Sequence, residues 1–101
     1  MKDKVLRKLF LGFIQLHILH HACKEPVFGL WMMEELQEHG YEISAGTLYP
    51  IFHNLEKSGL LYSIEKVIDG KVRKYYQITA EGEEVLKLAK EKAMELIDEL
   101  E

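Results

Sequence analysis

Apolar positions between Lys4 and about Ala22 recur at three- and four-residue steps: Leu6, Leu9, Phe13 and Leu16, continued by His20 and Cys23. That is the period of a helix, and a second stripe of Phe10, Ile14 and Ile18 means the helix is covered on more than one side. Pro26 separates it from a second helix, predicted from about Phe28 to His39 and stopped by Gly40. In a third helix Leu48, Ile51, Phe52 and Leu55 supply the core face. Either Ser44 or Thr47 can cap it. Pro50 is tolerated only near a helix start, which favours a start close to Thr47, or an irregular first turn if Ser44 is the cap. Gly59 closes this helix. Leu60–Val67 and Val72–Ile78 then read as strands around Ile68-Asp69-Gly70-Lys71, and Asp-Gly is a strong tight-hairpin signal. Thr79 caps a last helix that reaches nearly to Glu101.

The order helix, helix, helix, hairpin, helix defines the fold class: α+β, mainly α with a small β-hairpin, a winged helix-turn-helix with a C-terminal dimerisation helix. Residues 1–78 make the winged helix-turn-helix with its N-terminal helix, and residues 79–101 the dimerisation helix of the same compact domain. Along that last helix Leu86, Ala89, Ala93, Leu96 and Leu100 step by three and four residues, a heptad seam that packs against another helix. A terminal helix has little of its own domain to lean on. A homodimer is therefore expected through these five residues, helped by Leu6, Leu9 and Phe13 of the first helix.

At 101 residues the chain is one domain with a modest core, near the size where oligomerisation adds needed burial. It has no apolar run of membrane-span length, no leader pattern and a single cysteine, which fits a reducing cytoplasm. The net charge of −4 argues against nucleic acid until its distribution is read. Residues 1–30 carry five cations against two anions and residues 61–78 four against two, whereas residues 31–60 carry one against five and residues 79–101 three against eight. A basic first helix and hairpin beside acidic segments suit a one-sided binding surface. Simple solvation of these charges is the competing explanation.

In a helix-turn-helix the start of the second helix enters the major groove. Thr47, Tyr49, His53 and Asn54 hold the early positions here; Asn54 suits an adenine edge, and Ser44, Thr47 and Tyr49 suit phosphates. Packing roles for Tyr49 and His53, and a capping role for Thr47, compete with this. Lys71, Arg73 and Lys74 on the hairpin reach phosphates, or the minor groove if Lys71 inserts from the tip. Tyr75 and Tyr76 point to opposite faces, one into the core, and parity does not say which.

The stretch from Leu16 to Gly82 resembles the PadR family of transcriptional regulators. The resemblance rests on Ile18-Leu19, Pro26-x-x-Gly29, Glu35-Leu36, Ile43-Ser44-x-Gly46-Thr47-Leu48-Tyr49-Pro50, Leu55-Glu56-x-x-Gly59-Leu60-Leu61, Arg73-Lys74-Tyr75-Tyr76 and Ile78-Thr79-x-x-Gly82. It implies a winged-helix homodimer that binds palindromic operator DNA, usually as a repressor relieved by a small-molecule effector. It also implies DNA-facing roles for Ser44, Thr47, Tyr49, Pro50, Arg73 and Lys74. The single C-terminal helix resembles the short branch of that family. Trp31, the His53-Asn54 pair in place of His-Arg, and a wing without Gly-Arg-Pro depart from the usual pattern and bear on operator sequence and affinity.

Two further clusters have less specific chemistry. His17 and His21 lie one turn apart with Cys23 near, a spacing that suits a metal; solvated or half-buried helix-end histidines are the commoner case, and no cofactor is expected. Phe28, Trp31, Met32 and Met33 are more often core, the alternative being an effector pocket. No phosphate loop, nucleophile elbow or carboxylate pair is present, so the chain is expected not to be an enzyme. The readings that compete with a DNA-binding repressor are a winged-helix module that binds protein or effector with weak DNA affinity, and a metal-responsive regulator.

Overall fold

The computed structural model describes residues 2–101, with backbone alone described at Lys2. In chain order the elements are α1 (Lys2–Lys24), β1 (Val27–Phe28), α2 (Gly29–Glu38), α3 (Ala45–Lys57), β2 (Leu61–Ile68), β3 (Lys71–Ile78) and α4 (Ala80–Leu100). The three strands form one antiparallel sheet in the order β1-β3-β2.

The β2–β3 hairpin turns through Asp69 and Gly70, with φ of +53° and +75°. Positive φ at both central residues defines the turn whose twist matches paired strands, and it sets Ile68 opposite Lys71. Counting from there, Leu61, Ser63 and Glu65 lie across from Ile78, Tyr76 and Lys74 on the core face, while Lys66 and Ile64 oppose Arg73 and Tyr75 on the other. Parity is thus resolved: Tyr76 is buried and stacks on Phe52 at 4.5 Å, and Tyr75 packs edge-on to Phe28 at 5.4 Å.

Phe28 was expected in the second helix but is extended, with φ −116° and ψ 158°, and precedes the helix as its cap. Val27 and Phe28 pair with Tyr76 and Tyr75 as a third strand. Two residues are too few to show a period, and their partners lie far along the chain.

The third helix starts at Ala45, two residues before the favoured position. Ser44 is its cap residue, yet its hydroxyl donates to Thr47 Oγ1 (3.3 Å) and not to the backbone. The Ser44 carbonyl instead accepts from both Thr47 N–H (3.1 Å) and Leu48 N–H (2.9 Å), a sharing common at helix ends, and the helix is continuous from Ala45. Pro50 consequently stands in the second turn, where its missing N–H leaves the Gly46 carbonyl without a helical donor. Gly46 is itself exposed.

The core joins Ile14, Ile18, Leu19 and Ala22 of α1 to Val27, Met32, Leu36, Ile43, Leu48, Phe52, Leu55, Leu61 and Tyr76. No charged or polar residue is buried among those described. Helix α4 is fixed to this body at its start. Thr79 Oγ1 accepts from Gly82 N–H (3.0 Å) and donates to the Gly59 carbonyl (2.6 Å), while Thr79 N–H donates to the Leu60 carbonyl (3.1 Å). Its far end projects: the molecule measures 50 × 30 × 22 Å, and its radius of gyration, 14.5 Å, exceeds the roughly 13 Å of a compact chain of this length.

Candidate nucleic-acid interface

The face of α3 turned from the core carries Tyr49, Pro50, His53 and Asn54, all exposed. They form one wall of an open groove. Val72, Arg73 and Lys74 of β3 form the other, and Phe28, Gly29 and Leu30 close one end, with Tyr76 beneath. Six of the nine residues expected to meet DNA therefore share one concave surface.

The other three lie elsewhere. Ser44 and Thr47 face a second hollow at the start of α3, shared with Arg7, Phe10 and Tyr41. Lys71 is at the hairpin tip, opposite Ile68.

The groove's cations differ in their freedom. The Arg73 guanidinium lies over the Phe28 ring at 4.7 Å. Beside it on the same face of the sheet, Lys66 sits over Tyr75 at 5.2 Å. Lys74 leans back on α3: its Nζ is 3.6 Å from Glu56 Oε1 and 5.4 Å from the Tyr76 ring. The Tyr76 phenol first, and then the Glu56 carboxylate, hold the Lys74 amine above its usual range against the opposing effect of burial. Glu56 is held below the usual carboxylate range, chiefly because the Ser63 hydroxyl donates to it (2.5 Å), with Lys74 adding to the effect and burial opposing it. The Ser63–Glu56–Lys74 link thus ties the hairpin to the end of α3.

Gly29 has a role that the sequence did not announce. A Cβ there would stand 2.6 Å from Tyr49 Cε1 and 2.7 Å from its hydroxyl. The Tyr49 ring is laid on the first residue of α2, which holds a half-exposed aromatic at the groove wall. Phe28, Leu30 and Arg7 were also missed as surface-forming residues. Only the strand pairing and the approach of α1 to the α2–α3 turn bring them in.

The residues expected to form a dimer divide by exposure. Leu6, Leu9 and Phe13 on α1 are exposed, as are Leu96 and Leu100 on α4. Leu86, Ala89 and Ala93 are half-buried, and Leu86 and Ala93 line an apolar hollow with Phe13, Leu16 and Tyr41. Leu88, Met94 and Ile97, outside the expected seam, are more than half exposed.

Two of the alternative groupings are separated in the structure. Cys23 does not join His17 and His21: its Sγ is 4.0 Å from Glu83 Oε1 on α4, whereas His17 and His21 turn toward α2. Nor do Phe28, Trp31, Met32 and Met33 share a pocket. Met32 is wholly buried, Trp31 packs on His21 at 5.3 Å, and Phe28 joins the groove.

Comparison with known proteins gives a consistent answer. The profile of the Transcriptional regulator PadR-like family matches residues 18–88. Transcriptional regulator Rv3488 of Mycobacterium tuberculosis is 46% identical over 81 residues, which cover 80% of this chain and 76% of that protein. A PadR-like transcription factor from Bacteroides fragilis superposes with a TM-score of 0.82 at 28% identity, covering 97% of this chain and 96% of the other. A PadR family transcriptional regulator from Eggerthella lenta superposes with a TM-score of 0.74 at 31% identity, covering 98% and 91%. No helix among the described residues is long and apolar enough to cross a membrane. The chain is a winged-helix transcriptional regulator and not an enzyme, and it belongs to the PadR-like family.

Proposed function

We propose that the protein is a homodimeric, sequence-specific DNA-binding repressor, relieved by a small-molecule effector. The observation that carries this reading is the groove joining the exposed face of α3 to the basic edge of the hairpin. Inserted in a major groove, α3 presents His53 and Asn54 to base edges, with Tyr49 and Pro50 shaping the approach. Arg73, Lys66 and the tip residue Lys71 lie where a hairpin beside that groove meets flanking phosphates. Ser44, Thr47 and Arg7 offer a separate phosphate contact at the start of α3.

Dimerisation is supported by the surface. The chain exposes 7435 Å², about 1,500 Å² more than a compact monomer of its mass, and that excess exceeds the roughly 800 Å² per partner of an ordinary interface. Much of it is apolar side chain on the outer faces of α1 and α4. The hollow lined by Phe13, Leu16, Tyr41, Leu86 and Ala93 adjoins this face and offers an effector an apolar seat with His17, His20 and Lys90 at its edge.

The test is the salt dependence of binding to the inverted repeat that autoregulation would leave upstream of the chain's own coding region. Each phosphate contact contributes about −0.9 to the slope of log affinity against log salt. Arg73→Ala with Lys66→Ala removes up to four contacts from a dimer, so the slope should fall by about 2 to 4. A double variant whose affinity matches the parent at every salt concentration refutes the wing assignment.

A further inference from the structure

We propose that Val67 and Val72, at the far end of the hairpin, meet the minor-groove edges of the base pairs beside each half-site and make the wing prefer A·T pairs there. The inference rests on the DNA-binding reading above and adds to it a source of sequence preference outside α3. The two valines stand directly opposite each other across β2 and β3, next to the Ile68–Lys71 pair that closes the hairpin. They are 72% and 64% exposed, and Ile68 beside them is 39% exposed. The core ends well before them, since Leu61 of β2 and Tyr76 of β3 are the buried residues of the hairpin. The described residues of the domain thus leave this apolar end uncovered.

The hairpin sorts its chemistry by face. Lys66, Lys71 and Arg73 lie on one face, where Lys66 and Arg73 are directly opposite, and none of the three has a salt bridge among the described residues. Like charges so placed repel, so this face suits the phosphate backbone. Val67 and Val72 lie on the other face, and Val72 lines the groove that faces Tyr49, His53 and Asn54 of α3. The middle of that face holds Lys74 between Glu65, its cross-strand partner, and Glu56. Two carboxylates to one ammonium do not attract a phosphate. The valines lie beyond them, where an uncharged surface is what they fit. With α3 in a major groove, the hairpin on its flank reaches over the backbone to the adjoining minor groove, whose base edges and sugars provide that surface.

The chemistry of the groove then decides the base pair. An A·T pair shows only the adenine N3 and thymine O2 acceptors there, whereas G·C adds the guanine 2-amino donor. Valine methyls offer that donor no acceptor, and covering it unpaired is costly. The amino group also stands up from the groove floor, where the methyls would rest. A·T and T·A present the same acceptors, so the wing does not tell them apart. Strand propensity accounts for β-branched residues at these two positions but not for their apolarity, since threonine fits an exposed strand as well.

The experiment is selection of binding sites by the full chain from a pool of random-sequence duplexes, repeated with the Val67→Thr/Val72→Thr variant. Threonine keeps the side-chain shape and the strand propensity, and its hydroxyl accepts from a 2-amino group. The parent should select a half-site motif flanked by A·T or T·A pairs in either order. The variant should select the same half-site, which also shows that it is folded, with the flanking preference lost. In the parent's selected duplex, G·C in place of a flanking A·T on both sides should weaken binding roughly tenfold or more by fluorescence anisotropy. Inosine·cytosine at the same positions keeps the major-groove edges of G·C but lacks the 2-amino group, and it should restore the affinity. A half-site motif without flanking A·T preference, a preference that survives in the variant, or inosine·cytosine binding as weakly as G·C would each overturn the role of the valines alone. A pool that yields no motif at all would overturn the DNA-binding reading, and this inference with it.

Discussion

Replacement of Gly82 by alanine tests how α4 is joined to the winged domain. An ideal Cβ at this position would lie 2.2 Å from the Leu60 carbonyl oxygen, 2.6 Å from Ile78 Cγ1 and 3.1 Å from the Leu60 carbonyl carbon. The first contact is with backbone, which no rotamer change relieves, so the strand start or the helix must move by about 1 Å. The Leu60 oxygen is already committed to the Thr79 N–H, and Thr79 Oγ1 to the Gly82 N–H. Separation of these segments strains or breaks both bonds. One backbone hydrogen bond and one cap, each about 1 kcal/mol, add to overpacking of about 1–3 kcal/mol. The gain from alanine's helix propensity offsets at most about 1 kcal/mol. A net loss of about 2–5 kcal/mol corresponds to a fall in Tm of roughly 10–25 °C for a domain of this size. The assay is thermal unfolding followed by circular dichroism at one fixed protomer concentration, since the proposed dimer would make Tm concentration-dependent. Gly12→Ala is the matched control: Gly12 is in the middle of α1, and a Cβ there meets nothing within 4 Å. It should raise Tm by several degrees through propensity alone. If Gly82→Ala unfolds no lower than the parent while Gly12→Ala behaves as expected, the close approach of Gly82 to Leu60 is not what fixes α4.

Other perturbations separate binding from stability. Gly29→Ala meets only the movable end of Tyr49, so it should change Tm by a few degrees at most while displacing that ring and weakening operator binding several-fold; undiminished affinity by fluorescence anisotropy would remove Tyr49 from the groove's function. Leu96→Asp places a charge on the exposed apolar face of α4 and should yield monomers that no longer bind the operator, so a variant still dimeric in light scattering contradicts the dimer proposal. Ser63→Ala removes the main cause of Glu56's depressed pKa. A depressed carboxylate stabilises above its ordinary value of 4.5 and loses that contribution as pH falls through the lower folded value. The Tm deficit of Ser63→Ala should therefore be present at neutral pH and shrink on the acid side of 4.5; a deficit constant with pH would mean that the hydroxyl acts through packing.

What the sequence made legible was local chemistry. Asp69-Gly70 identified the hairpin turn because only residues tolerant of positive φ close a two-residue loop, and Thr79 identified a cap because a hydroxyl three residues before Gly82 satisfies its free amide. What it hid was assembly at a distance. The two-residue strand β1 exists only because Tyr75 and Tyr76 present an open edge to it. Ser44 and Thr47, adjacent in sequence to the groove residues, turn to the opposite hollow because α3 begins at Ala45, which puts them nearly half a helical turn from Tyr49 and His53. The His17/His21 pair was legible on α1, but the rings it packs against, His39 and Trp31, lie elsewhere in the chain, and the nearer Cys23 points to α4.

The same assembly bears on how DNA binding would be governed. The position of α3 is set by buried apolar contacts through Leu48, Phe52 and Leu55, which leave little latitude. The hairpin has no such anchor beyond Leu61 and Tyr76; most of its residues from Ile64 to Lys74 are exposed, and its angle to α3 depends on the Ser63–Glu56–Lys74 link. A half-exposed polar link is weaker than a core, so the hairpin is the element whose angle can change without unfolding the domain. Lys74 is then better suited to setting the wing than to neutralising a phosphate, and Lys74→Gln should lower affinity with a smaller change in salt slope than Arg73→Gln. Equal slopes for the two variants would show that Lys74 leaves Glu56 for the backbone on binding.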